Sequence, residues 1–186
     1  MTKIFVETIP TIFTCCDTLL VAEDVASAAR FQNERRRCEH LAWRRIVRRE
    51  LGRDVHISYN EVGAPKVDKD NIYISVSHCR DRVALLFGEE RCAIDIEQLG
   101  RDFRRVASRY LSDTERAIAE RNDLYAEMWC AKEALYKYHK EGNLDFVRDV
   151  VVSEYNNGEL CGTILGGAPI AVRVWRIDDL AIAVID

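Results

Sequence analysis

The chain has 186 residues, of which 48% are hydrophobic and 9% aromatic, and a formal net charge of -4; this suffices to close the core of one domain or two small lobes. No run approaches the roughly 20 apolar residues of a membrane helix, and Met1 to Pro10 lacks the basic start and apolar middle of a secretion signal. The seven cysteines are scattered, odd in number and without CxxC spacing, which argues against a disulfide scaffold or a zinc module and leaves a monomer in the cytoplasm with reduced thiols as the expectation.

A β-like segment, Ile4 to Cys15, opens the chain, and a long helical stretch from about Glu23 to Leu51 follows, stopped by Gly52. Three β-like runs come next, Val55 to Asn60, Ile72 to Ser77 and Arg82 to Phe87, with polar or Gly/Pro turns between them. After Gly88 the order starts again. A strand from Cys92 to Glu97 leads into helices near Asp102 to Tyr110, Ser112 to Arg121 and Asp123 to Lys140, the last block ending at Gly142. Ser112 and Glu115 have capping-box spacing, and Asp123 is placed to cap the helix behind it. Four β-rich runs close the chain: Val147 to Glu154, Leu160 to Leu165, Ile170 to Ile177 and Ala181 to Ile185. The repeated order predicts an α+β fold of two similar lobes, 1–90 and 91–186, related by a pseudo-two-fold axis with the site in the cleft between them.

In the strand Cys92 to Glu97, alternation puts Asp95 and Glu97 on one face and Ile94 and Ile96 in the core. Two such acids repel unless a hard cation such as Mg2+ neutralises them; taken alone, the spacing favours an edge strand with two solvated acids. In the last helix, Leu124, Met128, Ala131, Leu135 and Tyr138 form an apolar stripe. Glu133 and Lys137 lie opposite, one turn apart, among Ala126, Trp129 and Cys130, so both faces are expected to be at least partly covered. An i,i+4 pair is ordinarily a surface ion pair, but a half-buried one is available for chemistry.

Nine of the 21 arginines fall between Arg30 and Arg53, and Arg30, Arg37, Arg44 and Arg48 fall within one stripe at 100° per residue, with Ala42, Trp43, Ile46, Val47 and Leu51 across from it. As a solvated face this would be unremarkable; as a whole it suits an anion or an acidic partner.

Five blocks, in order, resemble the 4′-phosphopantetheinyl transferases, in particular the single-chain, two-lobed branch. Ile94-Asp95-Ile96-Glu97 is similar to that family's metal-binding strand, and Trp129-Cys130-Ala131-Lys132-Glu133-Ala134-Leu135-Tyr136-Lys137 to its W(S/C)xKEAxxK helix. Asn60-Glu61-Val62-Gly63-Ala64-Pro65 resembles its QExGKP turn, Ile74 to His78 its strand ending in Ser-His, and Tyr110 to Glu115 its (F/Y)(F/L)SxxE stretch. Ala93 and Ala64 depart from the pattern, standing where the family usually has Gly and Lys.

The resemblance implies transfer of the 4′-phosphopantetheine arm of coenzyme A to a serine of an acidic acyl or peptidyl carrier protein. It implies Mg2+ on Asp95, Glu97 and Glu133, and Glu133 and Lys137 as catalytic groups. Coenzyme contacts are implied at Arg37, Arg44, Gly63, Pro65, Ser77, His78 and Lys137. A nucleic-acid module is disfavoured by the net negative charge and leaves the three acids unexplained. A non-catalytic coenzyme A or carrier-protein binding module stands as the alternative.

Overall fold

In the computed structural model of the chain, residues 2–13, 17–139 and 143–186 are described. Met1, Cys15, Lys140 and Gly142, named above, lie outside them.

The N-terminal half pairs a strand with two helices rather than one. After β1 (Lys3–Thr8), α1 (Ala22–Ala28) and α2 (Glu34–Leu51) are separate. The continuous helix expected from Glu23 to Leu51 is therefore broken. Asn33 is extended and its side chain accepts from the Arg36 amide, which starts a new helix. The break folds α1 back onto α2, so that Asp24, fully buried, meets Arg44 at 2.7 Å and Arg48 at 2.8 Å. Gly52, with φ 110°, ends α2 in a conformation that favours glycine. Its apolar face, including Cys38, Trp43, Ile46 and Val47, packs on Val83, Leu85 and Phe87.

Two short strands, β2 (Ile57–Tyr59) and β3 (Pro65–Val67), form a hairpin. Pro65–Val67 falls where turns are expected from the sequence; Pro65 opens the strand, where its missing N–H costs no ladder bond. With β4 (Tyr73–Cys79) and β5 (Arg82–Gly88), β1 forms a three-stranded antiparallel sheet ordered β1-β5-β4.

The second sheet has five antiparallel strands, β6 (Ala93–Gln98), β10 (Leu180–Ile185), β9 (Ile170–Ile177), β8 (Glu159–Ile164) and β7 (Val150–Asn156), in that order. Between β6 and β7 come α3 (Phe103–Val106), running into a 3-10 turn at Ala107–Arg109, then α4 (Asp113–Asn122) and α5 (Tyr125–His139). Ser112 and Glu115 close the expected capping box. Asp123, expected to cap α5, instead ends α4 in a left-handed conformation, φ 53°, and pairs with Arg176. Met128, Ala131, Ala134 and Leu135 of α5 are fully buried in the core against the second sheet.

The sheets meet where β4 runs beside β6. No backbone ladder joins them; the Ser75 hydroxyl accepts from the Ile94 amide at 3.0 Å and the Ser77 hydroxyl from the Ile96 amide at 3.2 Å. Ile94 and Ile96 enter a shared core with Ala84, Leu86, Ile182 and Val184. The architecture is α+β, and among the described residues no helix is long and apolar enough to cross a membrane.

Candidate active site

Alternation along β6 puts Asp95 on the side opposite Ile94 and Ile96, under α5. Asp95 is 5% exposed. Its Oδ1 accepts from the Ser77 hydroxyl at 2.7 Å and from Lys137 Nζ at 2.7 Å, while its buried Oδ2 has no hydrogen-bond partner among the described residues. Lys137 also donates to the Ile94 carbonyl at 3.0 Å. The ion pair of Lys137 is thus with Asp95 on a strand 42 residues away in sequence, not only a matter of its own helix. Glu97, at the end of β6, pairs with Arg101.

Glu133 sits one turn before Lys137, and its carboxyl is pushed up to about 6 by burial and by the charge of Asp95, against the opposing pull of Lys137. It lines a cavity of about 530 Å3 with Phe103, Tyr110, Trp129 and Phe146. Cys130, fully buried, donates to the Ala181 carbonyl, and burial raises its thiol well above the ordinary range; it is a core residue.

A divalent metal can be weighed against these groups. Three carboxylates supply the hard oxygens Mg2+ takes, Asp95 holds a buried oxygen that has no partner among the described residues, and burial first, then the charge of Asp95, raises the pKa of Glu133. The donor set fits in chemistry. Among the described residues, no group of three or more His, Cys, Asp or Glu side chains is drawn together as a ready-made metal cage; Lys137 and Arg101 balance Asp95 and Glu97 here.

A second group gathers around the β2–β3 turn. Asn60 Oδ1 accepts from the Ala64 amide at 2.7 Å, and Gly63 has φ +80°, a conformation strained for other residues. Gly63, Pro65 and His78 line a cavity of about 340 Å3 with Arg30, Arg36, Trp43 and Tyr59. The His78 ring is 36% exposed and Arg36 lies 3.0 Å from its Nε2. Burial, with Arg36 and Lys137 nearby, holds its pKa below the ordinary value although Glu39 opposes this.

The arginine stripe does not form one exposed face. Arg30 precedes α2, and Arg37 donates to the carbonyls of Phe31 and Gln32. Arg44 and Arg48 are 1% and 2% exposed, locked on Asp24. Helical spacing cannot reveal that α1 would bring a carboxylate over them. Ser77 is likewise engaged by Asp95 and the Ile96 amide. Arg36, one position off the stripe, is the arginine beside His78, and only the fold exposes that role. Lys132, in the motif with Glu133, is fully buried on Glu115 at 2.7 Å and the Phe146 carbonyl at 2.6 Å.

Residues 91–185, which run from β6 to β10 and carry Asp95, Glu97, Glu133 and Lys137, match the model of the 4′-phosphopantetheinyl transferase superfamily over just more than half of the chain. The chain belongs to this superfamily. No curated protein matches it. As a 4′-phosphopantetheinyl transferase superfamily member it is a transferase, in a family that acts on coenzyme A and carrier proteins.

Proposed function

We propose that the protein moves the 4′-phosphopantetheine arm of coenzyme A onto a serine hydroxyl of an apo acyl or peptidyl carrier protein, releasing adenosine 3′,5′-bisphosphate. The supporting observation is Asp95, with one oxygen held by Lys137 and Ser77 and the other buried and, among the described residues, unpartnered. In this reading the chain consists of two similar lobes, 1–90 and 91–186, and a common strand order supports it. In each sheet the first strand of its half pairs with the last, and the last with the one before it, β1-β5-β4 and β6-β10-β9.

Asp95, Glu97 and Glu133 would hold Mg2+. Bound there, the ion supplies neutralisation of charge on the coenzyme pyrophosphate. Lys137 has three N–H donors; two reach Asp95 and the Ile94 carbonyl, and the third is available to a pyrophosphate oxygen as charge grows on it. Glu133, on the same helix one turn from Lys137, would take the proton of the attacking serine. The serine oxygen forms its bond to the phosphorus attached to pantetheine as the bond to the bridging pyrophosphate oxygen breaks, and the bisphosphate leaves with those electrons.

His78 and Arg36, above the Gly63-Ala64-Pro65 turn, supply donors for a phosphate of the adenosine end. Arg37 organises the chain leading into α2. Arg44 acts indirectly, through Trp43 and Tyr59, whose rings its guanidinium contacts at 5.2 and 5.9 Å. The aromatic cavity beside Glu133 suits the pantetheine arm.

Mass spectrometry of a panel of apo-carriers incubated with the protein, coenzyme A and Mg2+ tests the reading. One carrier should gain one phosphopantetheine, and Asp95→Ala should fold yet transfer none. Coenzyme A binding without any mass gain would leave a binding module; full transfer by Asp95→Ala would overturn the site.

A further inference from the structure

Glu39 is a carboxylate of α2 placed among groups suited to an anion. It is 5% exposed, and with Arg36 and His78 it lines the cavity of about 340 Å3 above the Gly63-Ala64-Pro65 turn. A carboxylate at that place repels a phosphate, and its burial costs free energy unless partners offset it. Pairing within the helix offsets little. Arg35 and Arg36 meet Glu39 at 3.1 and 2.9 Å across one turn, but both guanidinium side chains are more than half exposed, and such pairs contribute weakly.

The contacts that leave the helix account for it better. The Arg36 Nη1 that meets Glu39 also lies 3.0 Å from His78 Nε2, on β4. A guanidinium has N–H donors and no acceptor, so Nε2 accepts and a neutral His78 carries its proton on Nδ1. That nitrogen stands 3.7 Å from Glu39 Oε2, whose charge favours a proton there. Arg35 donates to the Arg80 carbonyl at 2.8 Å, just past the end of β4. One carboxylate thus steadies two guanidinium groups that grip the end of β4, and its own charge acts on the ring between them. With Nε2 engaged by Arg36, the ring turns no lone pair on an arriving phosphate.

We infer that Glu39 is a positioning residue, which holds Arg36 against His78 and selects the His78 tautomer protonated on Nδ1. Its effect on coenzyme A rests on the reading above, in which Arg36 and His78 bind a phosphate of the adenosine end; the tautomer itself does not.

Two measurements test it. Long-range nitrogen–proton NMR at about pH 8, where imidazole is neutral, reads the tautomer of each of the four histidines, with His78 assigned from the signal missing in His78→Gln. Wild type should show His78 protonated on Nδ1, and Glu39→Gln should shift it toward the Nε2-protonated form. Calorimetric titration then measures coenzyme A affinity without a carrier. Removing a carboxylate that merely repelled phosphate would tighten binding, whereas loss of the positioning contact should weaken it in Glu39→Gln by about tenfold, the worth of one hydrogen bond to a charged group. An Nε2-protonated His78 in the wild type overturns the inference and needs no variant to be seen. So does a Glu39→Gln protein that keeps the wild-type tautomer, or that binds coenzyme A as tightly as the wild type or more so. If the wild type itself binds no coenzyme A or modifies no carrier, the transferase reading fails while the tautomer still decides the role of Glu39.

Discussion

At Asp95 both neutralising contacts fall on Oδ1, and Lys137 provides one of them. On the proposed reading Lys137 also donates where charge develops on the pyrophosphate, so for Lys137→Ala kcat for carrier modification should fall by about 10- to 1000-fold; an unchanged kcat would reduce Lys137 to a partner of Asp95 alone. Glu133 gives a pH signature. Its folded pKa of about 6 exceeds the 4.5 of the free side chain, through burial first and Asp95 second, so the native chain binds this proton more tightly than the unfolded one. The stabilisation is complete below about pH 4.5 and is lost as pH rises through about 6. In chelator, urea unfolding should show wild-type stability falling across that window, and Glu133→Gln should flatten the fall. At this scale the acids and the lysine were legible because strand alternation and a motif fix where they lie. Arg44 was not: its burial depends on Asp24, twenty residues earlier and on another helix.

Elements carry these side chains to their places, and α5 carries two. Its seating is set from β8, where a Cβ added at Gly162 would meet Leu135 Cδ1 at 2.5 Å and Cδ2 at 2.9 Å. Leu135 is fully buried, so it cannot swing into solvent. Gly162→Ala should destabilise by about 1–3 kcal/mol, the range for overpacking a core, and chemical denaturation would measure it. A loss near zero would mean that α5 can lift from the sheet without penalty. The apolar stripe of α5 could be read from the chain because that helix buries one face against the sheet, and β10 because, buried throughout, it is one continuous apolar run. The break at Ala29–Asn33 could not be read from periodicity, since the apolar pattern continues across it; Asn33 was the signal, a capping residue inside an otherwise helical run. Asp123 misled for a related reason. An aspartate between two helices can cap the second or end the first, and the salt bridge from Arg176 lies beyond local sequence.

Across the whole molecule, two sheets are joined at β4 and β6 by side chains rather than a ladder. Ser75→Ala leaves the Ile94 amide without its acceptor and should cost about 1–3 kcal/mol in a urea titration. Ser77→Ala should cost about as much and, because Asp95 also loses a donor, should depress carrier modification far more than Ser75→Ala does. Equal rates in the two variants would detach the seam from the chemistry. The recurrence of strand, helix and strands was visible in the chain, but nothing in it announced that hydroxyls would bridge the join. Ser77 has one proton to give and lone pairs to receive with; the proton goes to the carboxylate and an amide N–H points at the oxygen. Cohesion of the two sheets and the setting of the Asp95 carboxylate thus share a single atom, and any mutational route that retunes one of these properties at this position must change the other in the same step.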